Sequence, residues 1–226
     1  GSSGVDVPAA IILETVQAEG GVNVASSKWL IEIREICDKY KILMIVDDIQ
    51  VGCGRTGEFF SFEKAGVVPD LVTLSKSISG YGLPMSLVLI SQEIDCLNSA
   101  QHNGTFRGNQ HAFVTAERAL KLREENNFEQ LVAKKSKIIF DYLHNELFDF
   151  KSIIVRGRGM IIGIDLGGID PNLAKQVSKI CFKKGLLIEC AGRKDETLKI
   201  LPSLLIEEKS LLKGLSIIVK SIKEGL

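Results

Sequence analysis

The chain has 226 residues, 45% of them apolar, enough to bury a sizeable core in one or two domains. Its 28 basic side chains balance 28 acidic ones, and no basic cluster favours nucleic acid or a membrane surface, so the expected partners are small molecules and a second copy of the chain. Five cysteines, without CxxC pairing or metal spacing, read as reduced thiols of a cytoplasmic protein, and neither a signal peptide nor a long apolar run for a membrane span is read.

In chain order, the opening GSSG is either a tag scar or a native linker leading into a short apolar strand at residues 9–13. Residues 14–23 form a glycine-bearing loop in which Glu19, taken alone, is a solvated turn carboxylate. Ser26 and Ser27 supply the N-cap of a helix that runs to about Tyr40, with Leu30, Ile33 and Cys37 on its apolar face. The chain then crosses over to a strand at residues 42–46, which runs straight into Asp47 and Asp48. Alternation sends these two to opposite faces, so at least one carboxylate sits at the carboxyl end of a strand, where parallel α/β proteins bind ligands. The GCGRTG run at 52–57 requires close backbone approach and positive φ. It lacks the lysine of a P-loop and the spacing of a dinucleotide loop. Strands recur at 71–75 and 85–90, the alternation of a mixed α/β sheet.

The strand at 71–75 stops at Lys76, and Gly80, Gly82 and Pro84 follow, residues that no helix carries in its interior. A lysine at such a break is held rigidly beside space that a ligand can enter. Its amine is a nucleophile when deprotonated, partial burial lowers its pKa toward neutrality, and it then forms a Schiff base with a carbonyl. An arbitrary lysine in that place would simply end a strand with its ammonium in water. The aspartates change this reading. A buried carboxylate needs a cationic partner or several donors, and a protonated pyridine nitrogen serves. Lysine and aspartate together suggest pyridoxal phosphate.

Residues 102–109, HNGTFRGN, form a polar loop ahead of a helix from about Ala112 to Glu125. Thr105 alone reads as a turn hydroxyl, and His102 and His111, lacking metal-ligand companions, as loop or cap residues. Leu131, Ile138, Tyr142 and Leu147 mark a helical stripe over 128–147, whose many lysines read as a solvated face. A small α+β domain follows: strands at 153–155 and 160–166, a helix over 173–184, strands at 186–190 and 198–201, and an amphipathic helix from Glu207 that packs on a core rather than on a membrane.

Four segments, ETVQAEGG at 14–21, VDDIQVGCGRTG at 46–57, PDLVTLSKSISGYGLPMS at 69–86 and HNGTFRGN at 102–109, resemble the fold-type I, class III aminotransferases, in the family's order and over essentially the whole chain. Within that family, SGYGLPM and HNGTFRGN look most like the 2,4-diaminobutyrate transaminases, especially the ectoine-pathway type. The resemblance implies the α/β PLP-dependent transferase fold of type I, with residues 1–127 the C-terminal part of the cofactor-binding large domain and 128–226 a small α+β domain. A complete member is roughly twice as long, and its other half carries the Gly/Ser phosphate-cup loop and the aromatic residue stacked on the ring.

By the same resemblance, Lys76 holds the cofactor and later shuttles a proton, and Asp47 keeps the pyridine nitrogen protonated. Ile49, which alone would be core, lies on one ring face, and Gln50 lies near the phenolic oxygen. Thr105 donates to the cofactor phosphate of a neighbouring subunit, which implies a homodimer or a higher homo-oligomer. Glu19 faces the substrate and pairs with a C-terminal cation. In related ornithine and 4-aminobutyrate enzymes an arginine precedes the motif matched by Ile200, Leu201 and Pro202. This chain has Lys199, a point charge in place of a bidentate fork. Arg107 is then either a substitute anion binder or a plain surface arginine. The implied reaction is the reversible conversion of L-2,4-diaminobutyrate and 2-oxoglutarate to L-aspartate 4-semialdehyde and L-glutamate. Alternatives are an ornithine or 4-aminobutyrate aminotransferase, a glutamate-semialdehyde aminomutase and, of another class, a truncated non-catalytic fragment of such an enzyme.

Overall fold

The structure, a computed structural model, describes Gly4 and residues 6–226. The reading of the GSSG opening therefore lies, apart from Gly4, outside the described residues. In chain order the elements are β1 (Ala10–Leu13), β2 (Val16–Gln17), β3 (Asn23–Val24), α1 (Ser27–Tyr40), β4 (Leu43–Asp47), β5 (Leu71–Leu74), β6 (Leu87–Ile90), α2 (Gln110–Glu125) and α3 (Phe128–Leu147). Then come β7 (Ile154–Arg158), β8 (Ile161–Asp165), α4 (Leu173–Lys183), β9 (Glu189–Ala191), β10 (Thr197–Ile200) and α5 (Glu208–Gly225). Short 3-10 turns occupy Glu63–Ala65 and Lys76–Ser79.

The chain divides into two compact units, one of Gly1–Thr15, Ala25–Cys53 and Glu58–Phe128, the other of Val16–Val24, Gly54–Gly57 and Glu129–Leu226. A single cut near residue 128 therefore misses two excursions, the β2–β3 hairpin and the 54–57 turn, which belong to the second unit. The glycine-bearing loop after β1 is also more ordered than its composition suggests. Val16 pairs with Val24 and Gln17 with Asn23 in an antiparallel hairpin, and the Asn23 side-chain amide donates to Gly20 O at 2.9 Å.

In the first unit a four-stranded sheet runs in the order β1-β4-β5-β6, with β1–β4 and β4–β5 parallel and β5–β6 antiparallel. Along β4 and β5 the even residues Met44, Val46, Val72 and Leu74 are buried in one apolar cluster with Leu30 and Cys37 of α1. Ser26 caps α1, accepting from Trp29 N at 3.1 Å, so the helix starts where the first turn's free donors find an acceptor. Burying each of these aliphatic side chains is worth about 1.5–3 kcal/mol, which fixes the register of the strands against the helix. Register partners share a face, so the other face carries Ile12, Ile45, Asp47, Thr73 and Val88, of which Ile12 and Val88 are exposed.

In the second unit an antiparallel sheet runs in the order β7-β8-β10-β9, with α4 packed on α5. Leu211, Leu215, Ile218, Val219 and Ile222 of α5 are buried, so its apolar face packs on a core as expected. The buried face of α3 is Val132, Lys135, Ile139, Leu143 and Leu147. Of the stripe expected from the sequence only Leu147 is fully buried, while Leu131, Ile138 and Tyr142 are half-buried. Apolar side chains spread over so much of this helix that periodicity alone does not choose its centre. Lys135 also departs from the solvated face assigned to the α3 lysines. It is buried with Nζ donating to Leu204 O at 2.9 Å, and desolvation pushes its pKa down. A long apolar stem that ends on a carbonyl makes this tolerable. Lys134 and Lys137 do remain on the surface, in pairs with Glu208 and Asp141.

The turn after β5 is docked on α2 through Gly80, whose φ is +73° and where an added Cβ would lie 2.4 Å from the Ala119 Cβ. Both the left-handed backbone and the clash oppose any larger residue. Gly80→Ala is expected to lower stability by about 1–3 kcal/mol, read as a lower denaturant midpoint at unchanged slope.

Candidate active site

The parallel pairing of β4 with β5 sets Asp47 opposite Thr73 and brings the two strands to a common carboxyl end. As alternation requires, Asp47 and Asp48 diverge there. Asp48 is fully buried. Its N donates to Thr73 O at 3.0 Å, its Oδ2 accepts from Ser61 N at 3.0 Å, and its O accepts from Gly52 N at 3.0 Å. A Cβ on Gly52 would come within 2.7 Å of the Asp48 backbone and side-chain oxygens, so only glycine lets the chain wrap this closely. Asp47 is half-buried on the open face, with Oδ1 accepting from Ile49 N at 3.1 Å. Asp48 thus closes the turn, and Asp47 is the carboxylate left on the open face. Ile49 and Gln50 are half-buried in the turn that follows.

Lys76 begins the 3-10 turn beyond β5 with a φ of +49°, a left-handed backbone that costs a non-glycine residue about 1–2 kcal/mol. Its surroundings hold that geometry: Ile78 N donates to Ser75 O at 3.2 Å, Gly80 N to Ser77 O at 3.0 Å, and Ser75 Oγ to Met85 O at 2.7 Å. The strain turns Lys76 out of the line of the strand. The expectation of partial burial is corrected, because Lys76 is exposed. It sits where the sheet gives way to a glycine-rich turn, and no other described element covers it.

Beside this turn lies a cleft of about 470 Å³ lined by Ser75, Pro84, Met85, Ser86, Phe106 and Phe113, with Gly108 and Asn109. Asn109 is the N-cap of α2, its side-chain oxygen accepting from His111 N and Ala112 N, so the helix starts at Gln110 rather than at Ala112. Thr105 is exposed, Phe106 is 98% exposed, and Arg107 is exposed with its guanidinium donating to His102 O.

In the second unit, Lys199 of β10 stands opposite Glu189 of β9 and Gly163 of β8. Its side chain is 1% exposed, and its Nζ lies 2.6 Å from Glu19 Oε1 and 3.2 Å from Glu189 Oε2. Glu19 rides on the β2–β3 turn, which is fastened twice. Gly192 N donates to Glu19 O at 2.9 Å, and Arg156 donates through Nε and Nη2 to Gly21 O while pairing with Asp165 at 2.8 Å. Arg55 of GCGRTG is buried, its Nη1 donating to Met160 O at 3.1 Å and Pro202 O at 2.6 Å, and burial pushes its pKa down to about 10. Glu189, Arg156, Arg55 and Thr73 were not singled out from the sequence. Glu189 and Thr73 sit inside apolar runs and the arginines in glycine-rich stretches, and no spacing links any of them to its partner far along the chain.

The cysteines are all free, and burial raises the thiol pKa of Cys37, Cys181 and Cys190 and takes that of Cys53 to about 11, the reverse of an activated nucleophile. Among the described residues no group of three or more His, Cys, Asp or Glu is placed to hold a metal, and no helix is long and apolar enough to cross a membrane. The groups at the ends of β4 and β5 fit a different ligand. Asp47 could pair with a protonated ring nitrogen, and Lys76 carries an amine that could condense with a carbonyl. On Asp47's face Thr73 Oγ1 is buried with no hydrogen-bond partner.

A sheet with lysine and aspartate at the carboxyl ends of neighbouring parallel strands, followed by a small α+β unit, is the architecture of the fold-type I PLP-dependent transferases. The chain belongs to the class III aminotransferases, whose family pattern matches residues 4–222. It is 50% identical to a diaminobutyrate--2-oxoglutarate transaminase of Bordetella parapertussis, over 100% of this chain and 52% of that protein. It is 48% identical to a protein of the same name from Halalkalibacterium halodurans, over 99% of this chain and 52% of that one. The chain thus spans about half the length of the curated relatives it matches. Among solved structures, an ornithine aminotransferase from Plasmodium yoelii superposes with a TM-score of 0.87 at 30% identity, over 96% of this chain and 57% of that one. Another, from Toxoplasma gondii and described with partial occupancy of PLP at its active site, superposes with a TM-score of 0.84 at 29% identity, over 94% of this chain and 50% of that one.

The different work of the two aspartates is measurable as stability. Asp48→Ala, which strips acceptors from a buried turn, is expected to cost about 2–4 kcal/mol, and Asp47→Asn less than about 1 kcal/mol, in paired denaturant titrations.

Proposed function

We propose that this chain supplies the reactive lysine and the ring-nitrogen partner of a PLP-dependent aminotransferase, with the unit built from Ala25–Cys53 and Glu58–Phe128 belonging to its cofactor-binding domain. The whole enzyme, on this reading, converts L-2,4-diaminobutyrate and 2-oxoglutarate reversibly to L-aspartate 4-semialdehyde and L-glutamate, the ectoine-pathway type of reaction. The observation that carries the reading is the placing of Asp47 and Lys76 at the carboxyl ends of adjacent parallel strands. The identity of about half its residues to diaminobutyrate transaminases supports the choice of substrate.

When bound, PLP supplies a carbonyl that takes up amines covalently and a ring that accepts the electron pair released at the substrate carbon. Asp47 holds the proton on the ring nitrogen by charge pairing, which keeps the ring electron-poor. Lys76 would hold the cofactor through its Nζ and, as a free amine, would serve as the base and acid that moves the proton released at the substrate carbon. Ile49 and Gln50, in the turn after Asp47, would help hold the cofactor, Ile49 as an apolar surface for the ring and Gln50 as a hydrogen-bonding group. Lys199 takes a substrate carboxylate, and Glu19 balances that charge when no carboxylate is bound.

Thr105 serves the phosphate of a second subunit's cofactor, and the exposure of Thr105 and Phe106 on one loop supports a homodimer in which a partner covers them. Arg107, turned onto its own loop at His102, orders that loop rather than binding the substrate. Five free cysteines support a reducing, cytoplasmic setting.

In the full-length holoenzyme, Lys76→Ala is expected to end turnover and to remove the cofactor label that borohydride fixes on the peptide containing residue 76, seen by mass spectrometry. Retained transamination would take Lys76 out of the mechanism. Asp47→Asn is expected to lower kcat by about two to four orders of magnitude, the scale of a lost charge partner at the reacting ring. The 226 residues expressed alone, with Lys76 exposed, are expected to form no glutamate from the two substrates.

A further inference from the structure

We propose that Thr73 is a positioning residue for the ring-nitrogen partner: its hydroxyl donates to Asp47 Oδ2 and holds that carboxylate, in its charged form, against the ring nitrogen of the bound cofactor. The proposal rests on the reading of Asp47 as that partner and adds the group that keeps it aimed.

The fold gives this hydroxyl no task of its own. Thr73 Oγ1 is buried without a hydrogen-bond partner among the described residues, although a buried hydroxyl ordinarily has one. A strand asks here only for a β-branched side chain, and valine meets that demand without burying an oxygen.

Strand register leaves one side-chain acceptor within reach. On its face of the sheet Thr73 has Val88 beside it on β6, Leu71 and Ser75 two residues away along its own chain, and Asp47 beside it on β4. Val88 and Leu71 carry no acceptor, and the Ser75 hydroxyl is engaged with Met85 O at 2.7 Å. Asp48 points to the opposite face, where its Oδ2 accepts from Ser61 N. Asp47 remains, one strand spacing of about 4.7–4.9 Å away. Its Oδ1 accepts from Ile49 N at 3.1 Å, and an ionised carboxylate has room for about four donors. The two side chains are not joined in the structure, and rotation about χ1 between staggered positions brings the hydroxyl to the carboxylate without moving the backbone. That backbone is pinned, because Asp48 N donates to Thr73 O at 3.0 Å.

A donor on a carboxylate favours its charged form. The charged form is the one that leaves the proton on a pyridine nitrogen. With Ile49 N on Oδ1 and Thr73 Oγ1 on Oδ2, the carboxylate is held at both oxygens, and each oxygen keeps a lone pair for the ring. Thr73 thus acts through Asp47 and touches neither the substrate nor the reacting carbon.

The test uses the full-length enzyme loaded with PLP labelled with nitrogen-15 in its ring, and Thr73→Val, which keeps shape and removes the hydroxyl. The nitrogen-15 chemical shift reads how far the ring nitrogen is protonated, and kcat and KM are measured with L-2,4-diaminobutyrate. In Thr73→Val the shift is expected to move toward that of an unprotonated pyridine, and kcat to fall about ten- to a hundredfold with KM within about threefold, the scale of one lost hydrogen bond to a charged group. Thr73→Ser, which restores the hydroxyl, is expected to recover most of both. In an Asp47→Asn background, Thr73→Val is expected to add less than about twofold in kcat and no further change in shift. The denaturant midpoint of the Thr73→Val apoenzyme is expected at or above that of the wild type, because the substitution removes an unpaired buried hydroxyl. A lower midpoint gives the hydroxyl a structural partner and overturns the proposal. A shift that stays at the wild-type value, or a loss equally large in the Asp47→Asn background, overturns the role of Thr73 and leaves Asp47 standing. An unprotonated ring nitrogen in the wild-type enzyme overturns the reading of Asp47 first, and this proposal with it.

Discussion

The parallel pairing of β4 with β5 is the constraint on which the candidate site depends. It matches Asp47 to Thr73 and ends both strands together, so that the residues just past each end, Lys76 on one and the Asp48 turn on the other, come out at the same rim of the sheet. The register is held from behind, by Met44, Val46, Val72 and Leu74 in one buried cluster with Leu30 of α1. A slip of one residue would move those four side chains to the open face and Asp47 into the core, a loss of several buried aliphatic groups together with the burial of a charge.

Two adjacent aspartates divide the work because a strand's side chains alternate. Asp48 points into the protein and is consumed by backbone donors that close the following turn, while Asp47 stays half-exposed on the face that carries Thr73. Lys76 gains its position through a left-handed backbone that glycine would adopt without strain, and a lysine there carries a cost that a purely structural turn would not need.

The second unit is organised by charged side chains that reach backbone carbonyls or oppositely charged partners far along the sequence. Arg55 joins its turn to Met160 and Pro202, Arg156 holds the hairpin at Gly21, and Lys199 gathers Glu19 and Glu189. Each tie gives a buried or half-buried charge more than one acceptor, which is what makes an arginine or lysine tolerable there. These contacts hold the hairpin turn that carries Glu19 against the sheet that carries Lys199.

The sequence by itself determined the order of the main helices and strands and the candidate lysine and aspartate, because apolar alternation, serine caps and glycine-rich breaks are written in neighbouring residues; strand bounds shifted, as at Glu189–Ala191 where 186–190 is expected. The expected α1, α3 and α5 agree with the observed helices to within a residue or so, and the chain's class could be read from four short segments. Only the tertiary structure decided which face of α3 is buried, that Lys135 lies inside, that residues 14–23 contain a hairpin belonging to the second unit, and that Lys76 is exposed. It alone joined Glu189 to Lys199 and Arg55 to Pro202. Burial and ion pairing depend on which segments meet in space, and partners more than a hundred residues apart, such as Arg55 and Pro202, leave no periodic trace in the chain.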